Sequence, residues 1–278
     1  MKSLVSVKDE SLETNLQGKL HLSLQSGEGL LTWALLQSTE NKYLALEKYS
    51  YAKSGEDEVF THLKTLPWFA NVSSVSLSLI SDKITLVPEP LFDEQAKKTY
   101  GEFNFDGVEN PVILSSKVRS AGCFAVFALA EEQEKLYLNF FQRITIIHSA
   151  MPLLESILAK DKNENSERAY LNIRAKSIEL AIVKNGALLY YNTFFYTTSE
   201  DVIYYLLFAF EQLKLNPETV VLQLMGEIER NDTVFSIIHK YVRNVSFIQR
   251  NNRFNYSYRF NEIPEHAFYT LFSQPLCV

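Results

Sequence analysis

A chain of 278 residues with 46% hydrophobic content is long enough for two domains and too apolar to remain disordered. A net charge of -6 and a pI near 5.5 argue against a nucleic acid or an anionic membrane engaged over a broad surface. Nine glycines against 19 Phe and 15 Tyr leave little material for phosphate-cradling loops, and two cysteines, Cys123 and Cys277, make no disulfide framework. The opening MKSLVSVKDESLETNLQ lacks an apolar core of signal-peptide length, so cytoplasmic residence is the expectation.

Residues 1–17 read as a leading arm with little periodicity. Lys19 to Gln25 then alternates, with Leu20, Leu22 and Leu24 on one face and His21, Ser23 and Gln25 on the other. Gly27 and Gly29 turn the chain into a strand over 30–37, and Asn41-Lys42 turns it into another over 43–51. A helix over 56–66 ends at Pro67, and 74–80 alternates Val75, Leu77 and Leu79 against serines. Shorter strands are expected at 84–87, 112–115, 123–129 and 144–147, with helices at 94–100, 131–141 and 152–160 and a loop over 101–111. The most polar run, DKNENSER over 161–168, is the expected linker. The domains are therefore an arm (1–17), a first lobe (18–160), the linker, and a second lobe (169–278).

In the second lobe, 170–174 and 177–183 read as adjacent strands, and Asn185-Gly186 specifies a type I′ hairpin leading into a strand over 187–194. Thr198 or Ser199 caps a helix with Glu200 and Asp201 in its first turn, running to about Leu215 before Asn216-Pro217. Every residue from Val202 to Phe210 is apolar, so the helix is expected to have no solvated face and to lie between layers. Charges bracket this run well short of a membrane span. A strand over 219–225 suits an interior position. Asn231 or Asp232 caps a helix with Val234, Ile237, Ile238, Tyr241 and Val242 as one stripe, followed by a strand over 245–248. Phe254, Tyr256, Tyr258 and Phe260 alternate with Arg253, Asn255, Ser257 and Arg259, and a short helix closes the chain over 264–273.

Three meandering strands, a helix and a further strand thus occur in both lobes, at an offset of about 143 to 149 residues: Leu22 answers to Leu171, Ser23 to Asn172 and Leu24 to Ile173. Sequence identity between the lobes is negligible, so the repeat is one of pattern, read as an internal duplication. This α/β plan of two tandem βββαβ lobes, the second opening as YLNIRAKSIELAIVKNGALLYY, resembles the actin-like ATPase superfamily and the wider ribonuclease-H-like fold. It is similar above all to the actin-like proteins of type IV pilus and type II secretion assembly, and to a bacterial family assigned a ribonuclease-H-like fold.

The resemblance implies an Asp and glycines at the first hairpin of each lobe, wrapping phosphates and a metal ion. This sequence departs from that pattern. Asn172 stands where the second-lobe Asp would be, Arg174, Ala175 and Lys176 occupy the glycine turn, and the first lobe offers Ser23, Gln25 and Ser26 with Gly27 alone matching. Gly226 survives from a glycine pair and is followed by Glu227. Backbone amides approach a phosphate only where side chains are absent, and Mg²⁺ prefers carboxylate oxygen to amide. The expectation is a protein without catalytic residues, cofactor or metal, whose inter-lobe cleft, lined by Ser23, Gln25, Asn172, Arg174, Lys176, Gly226 and Glu227, or a sheet edge holds a peptide segment of a partner protein. The alternative is a nucleotide-binding enzyme whose Arg174 and Lys176 replace the glycine turn.

A nuclease of the ribonuclease-H type would need converging carboxylates, and Asn172 removes one of them. His21, His62, His148, His239 and His266 lack metal-ligand spacing, and no nucleophile elbow, dinucleotide fingerprint or P-loop occurs. The run QRNNRFNYSYRF over 249–260 reads as a strand with one face on a core. Its second reading is single-stranded nucleic-acid binding through Arg250, Arg253, Arg259 and Tyr258.

Overall fold

Period-two alternation builds the main sheet of the first half. Its strands are β1 (Lys2–Lys8), β2 (Leu20–Gly27), β3 (Leu30–Gln37), β4 (Lys42–Ser50), β5 (Val72–Leu79) and, after an insertion, β9 (Ile144–His148). The computed structural model describes residues 1–12, 18–52 and 55–278. These divide into two units, Met1–Pro152 with Asn252–Glu262 and Leu271–Val278, and Leu153–Asn251 with Ile263–Thr270.

In the first unit the sheet order is β1-β4-β3-β2-β5-β9. Glu28 and Gly29, both at positive φ, make the tight turn between β2 and β3. Helix α1 (Glu56–Thr65) supplies the crossover that lets β5 run parallel to β2. Between β5 and β9 come β6 (Ile84–Pro88), α2 (Lys97–Asn104), β7 (Pro111–Val118), β8 (Cys123–Ala130) and α3 (Glu131–Phe140), with β6, β8 and β7 forming a three-stranded sheet. Phe127 and Leu129 of β8 and Tyr137 of α3 join Leu22, Trp33 and Phe60 in one buried core. The helix expected over 94–100 is a 3-10 turn continued by α2 to Asn104, where Gly101 packs against Ile113, so part of the expected 101–111 loop is helical.

The leading arm differs from expectation. Lys2 to Lys8 pairs antiparallel with β4, with a bulge between Ser3 and Val5. Only Val7 is buried along it, so backbone pairing rather than side-chain burial makes the strand and leaves no periodicity to read. Residues 13–17 of that arm lie outside the described residues.

In the second unit, β10 (Glu167–Ile173), β11 (Ser177–Lys184), β12 (Ala187–Phe195), α5 (Ser199–Gln212), β13 (Val221–Gly226), α6 (Thr233–Tyr241) and β14 (Asn244–Phe247) form a sheet of order β12-β11-β10-β13-β14. This matches β4-β3-β2-β5-β9 strand for strand. The register matches too: Leu22 opposes Val75 as Leu171 opposes Leu224, and Leu24 opposes Leu77 as Ile173 opposes Gly226.

The expected linker is a structured turn. Helix α4 (Ala150–Lys160) precedes it, and the first-unit boundary falls inside that helix. Asp161 is buried, accepts a hydrogen bond from Tyr170 Oη at 2.7 Å, and lies 3.8 Å from Arg168, which already belongs to β10. The polar side chains here answer one another across a helix-to-strand turn.

Helix α5 is capped by Thr198, whose hydroxyl accepts the Asp201 N–H while Asp201 accepts the Thr197 and Thr198 N–H groups at 2.9 Å. It ends at Gln212, short of Asn216-Pro217, because Lys214 adopts positive φ. The expectation that α5 has no solvated face is corrected: Val202, Leu206, Ala209 and Phe210 are buried, but Tyr204 is 61% and Phe208 48% exposed. Nine apolar residues wrap the whole circumference, and the sheet covers only one side. Tyr241 of the α6 stripe is likewise 47% exposed.

The strand expected over 249–260 reduces to β15 (Asn255–Tyr256), parallel to β4, followed by a 3-10 turn over Tyr258–Glu262. Two of its aromatics pack on the core: Phe254 and Tyr256 lie 5.4 Å from the Tyr43 ring, as Phe272 does at 4.8 Å. Helix α7 (Tyr269–Ser273) and a 3-10 turn over Gln274–Cys277 complete the chain. The close of the chain is helical only from 269, within the expected 264–273.

Candidate functional site

In the first unit Ser23 and Gln25 share a face of β2 with His21, opposite Ser74, Ser76 and Ser78 of β5. All but the exposed Ser74 are buried. His21 bonds Ser74 and Ser76 at 2.8 and 2.9 Å through its two ring nitrogens. Burial pushes its pKa down to about 4, so the ring is neutral and holds one proton between two hydroxyls. Gln25 donates to Ser78, and buried Gln274 donates to Leu24 O at 3.2 Å and Ser76 at 2.8 Å. A glutamine side chain of this same unit thus sits on the β2–β5 pair at Leu24 and Ser76, next in sequence or register to Ser23 and Gln25.

In the second unit the structure brings Asn172 and Arg174 together on Glu179, which the sequence reading did not single out. Glu179 is 1% exposed and accepts from Asn172 Nδ2 at 2.7 Å, from Arg174, and from Tyr191 Oη at 2.9 Å. The Arg174 guanidinium, itself buried, is therefore neutralised by an internal carboxylate. The two-residue spacing of Asn172 and Arg174 gives one face of β10; the cross-strand partner on β11 needed the register.

Gly226 has φ +90°, and a Cβ there would fall 2.1 Å from Ile173 O. Its N–H donates to His266 O and the Glu227 N–H to Ile173 O. Packing of β13 against the end of β10 accounts for this glycine. Lys176 and Glu227 are exposed. Of the second-unit candidates, Asn172 and Arg174 meet in one network, Gly226 sits against Ile173 beside them, and Lys176 lies in the β10–β11 turn.

A different concavity lies in the first unit, at the amino ends of β5 and β9. It measures about 350 Å³ and is walled by Phe69, Phe140 and Phe141, with the Ser73 and Ser74 hydroxyls, Lys64 and Arg143 at its rim. Lys64 Nζ stands 4.9 Å from the Phe140 ring centroid. Among the described residues neither Lys64 nor Arg143 has a carboxylate partner. Two cations and three aromatic rings thus line one concavity. Sequence reasoning missed this site because its residues come from α1, β5 and the α3–β9 connection; Phe140 to Arg143 was the local signal.

The remaining candidates resolve into structure. His148 bonds Ser81 O and the Ala150 N–H, and His266 bonds Ile228 O. Among the described residues no three His, Cys, Asp or Glu side chains converge as a metal site requires, and no helix is long and apolar enough to cross a membrane. Arg250 donates to Ile263 O at 2.8 Å, and Phe254 and Phe260 are buried, so the 249–260 run offers no stacking platform made of those rings. Tyr258 is exposed, with its hydroxyl donating to Glu10.

The fold is that of the actin-like ATPases. A Bacteroides thetaiotaomicron protein with an actin-like ATPase fold and unknown function superposes with a TM-score of 0.74 at 20% identity, over 87% of this chain and 94% of that one. PilM in a PilM–PilN type IV pilus biogenesis complex gives 0.63 at 15% identity, over 92% and 97%. No curated protein matches the sequence. The family model described as "Protein of unknown function (DUF3822)" matches residues 9–245, and the chain belongs to that family.

Proposed function

We propose that this protein is a non-catalytic actin-like binding module that holds an acidic segment of a partner protein. The observation that carries this reading is the aromatic pocket in which Lys64 and Arg143 have no carboxylate partner among the described residues. Beside it β9 pairs, among the described residues, only with β5, so an extended segment can add its backbone to the outer edge while an acidic side chain enters the pocket. The closed network on Glu179 and the Gln274 cover over β2 speak against a phosphate grip at the inherited positions. An actin-like neighbour solved in complex with a protein partner, PilM with PilN, supports the same class of function.

Selection of a displayed random peptide library on the purified full chain tests it. Segments with an acidic residue next to an aromatic or aliphatic one are expected, with affinity falling at least about tenfold for the Lys64→Glu/Arg143→Glu double variant. No enrichment, or enriched peptides indifferent to the charge reversal, would overturn the reading.

A further inference from the structure

Strand β12 is the outer strand of the second unit's sheet and, among the described residues, pairs only with β11. Its nine residues, ALLYYNTFF, contain no charge and no proline. Natural edge strands of such length carry a lysine, a proline or a cover, because a bare edge invites another strand. The Tyr196 N–H bonds Lys176 O across the β11–β12 pair, so strand alternation turns the backbone groups of Tyr191, Thr193 and Phe195 outward. Thr193 N–H is answered meanwhile by the Asn192 side chain at 2.8 Å. Above this edge, Tyr205 of α5 stacks on Phe194 at 4.4 Å, and the exposed Tyr204 and Phe208 follow it round the helix, stacked on each other at 6.0 Å.

We infer that β12 is a homodimer seam, pairing antiparallel with β12 of a second copy about a two-fold axis near Asn192. A second copy is favoured by charge. The strand is uncharged in its middle; Lys162 and Lys184, the latter ion-paired to Glu167 at 2.7 Å, stand at its hairpin end, and Glu200, Asp201 and Lys176 stand around the end that enters α5, so of these charges the hairpin end keeps a net positive and the other end a net negative one. Antiparallel self-pairing brings the basic end of each copy to the acidic end of the other, whereas parallel pairing would set like against like. Tyr191 and Thr193 of one copy exchange backbone hydrogen bonds with Thr193 and Tyr191 of the other, and Asn192 gives up its stand-in role. Joining the sheets gives ten strands, within the usual range for an open sheet, along an edge of roughly 30 Å. The two α5 helices then lie on one face and close their aromatic stripes over the seam. This inference is independent of the pocket described above.

Sedimentation velocity on the full chain, from low micromolar to roughly 100 µM, is expected to show a concentration-dependent dimer. Asn192→Lys places two ammonium groups opposite each other and should weaken it at least about tenfold, with the melting temperature of the monomer preserved. Mixing Asn192→Lys with Asn192→Asp should restore association as a heterodimer. A wild-type chain monomeric throughout, or a dimer indifferent to Asn192→Lys, or no restoration in the mixture, overturns the seam. Should Asn192→Lys fail to fold, Leu189→Lys takes its place, and a dimer indifferent to it overturns the seam.

Discussion

At Gly226 one methyl group decides whether β13 can follow β10, since a Cβ would sit 2.1 Å from Ile173 O on a backbone with φ +90°. Gly226→Ala is expected to cost more than about 2 kcal/mol in urea unfolding, with no ligand involved. Glu179 makes a parallel case in charge. Glu179→Ala leaves Arg174 buried without its counter-charge and should cost about 3–5 kcal/mol, whereas replacing both by apolar residues of like volume should recover most of it. His21 sets a pH dependence. Its folded pKa of about 4 lies below the unfolded value near 6.5, so the unfolded chain binds the extra proton. Its contribution is complete above about pH 6.5 and is lost as pH falls toward 4. Between pH 7 and pH 5 the wild type should lose about 2 kcal/mol more than His21→Gln, measured as the difference between their chemical-denaturation curves.

Among the elements, the β11–β12 hairpin is the most sharply encoded. Asn185 and Gly186 take φ +52° and +72°, and a Cβ on Gly186 would meet Lys162 O at 3.0 Å. Replacing the pair with Ala-Ala should cost about 2 kcal/mol and show as faster amide exchange across both strands. Such turns, the repeated βββαβ order and the α5 cap were legible because each is a local rule written in adjacent residues. β1 was not, because an edge strand with one buried side chain is held by backbone bonds that have no sequence alphabet. The 249–260 run misled for the opposite reason: Phe254, Tyr256 and Phe260 alternate like a strand, but Tyr43 draws them into a ring cluster. In α5 an unbroken apolar run does not mean burial all round, since Tyr204 and Phe208 are exposed.

For the whole molecule, the candidate site was legible only as a departure from a pattern. Asn172 and Arg174, like Ser23 and Gln25, could be marked from the chain, but Glu179, which holds the first two, comes into contact through β-sheet register, and Gln274, which bonds Leu24 O and Ser76 in the other unit, through a return of the chain. A titration with ATP and Mg²⁺ is expected to leave the melting temperature unchanged, where a ligand at 100 times its dissociation constant would add about 2.7 kcal/mol of stability. A clear upward shift would restore the nucleotide reading. The first unit, finally, is assembled from three separated stretches: Gln274 lies over its β2–β5 face, and Phe272 packs on Tyr43 of β4. On the ribosome those covering residues emerge only after the second unit has been made. The half that is translated first must therefore wait, with its serine and histidine face still wet, and the half translated later is the first that can close.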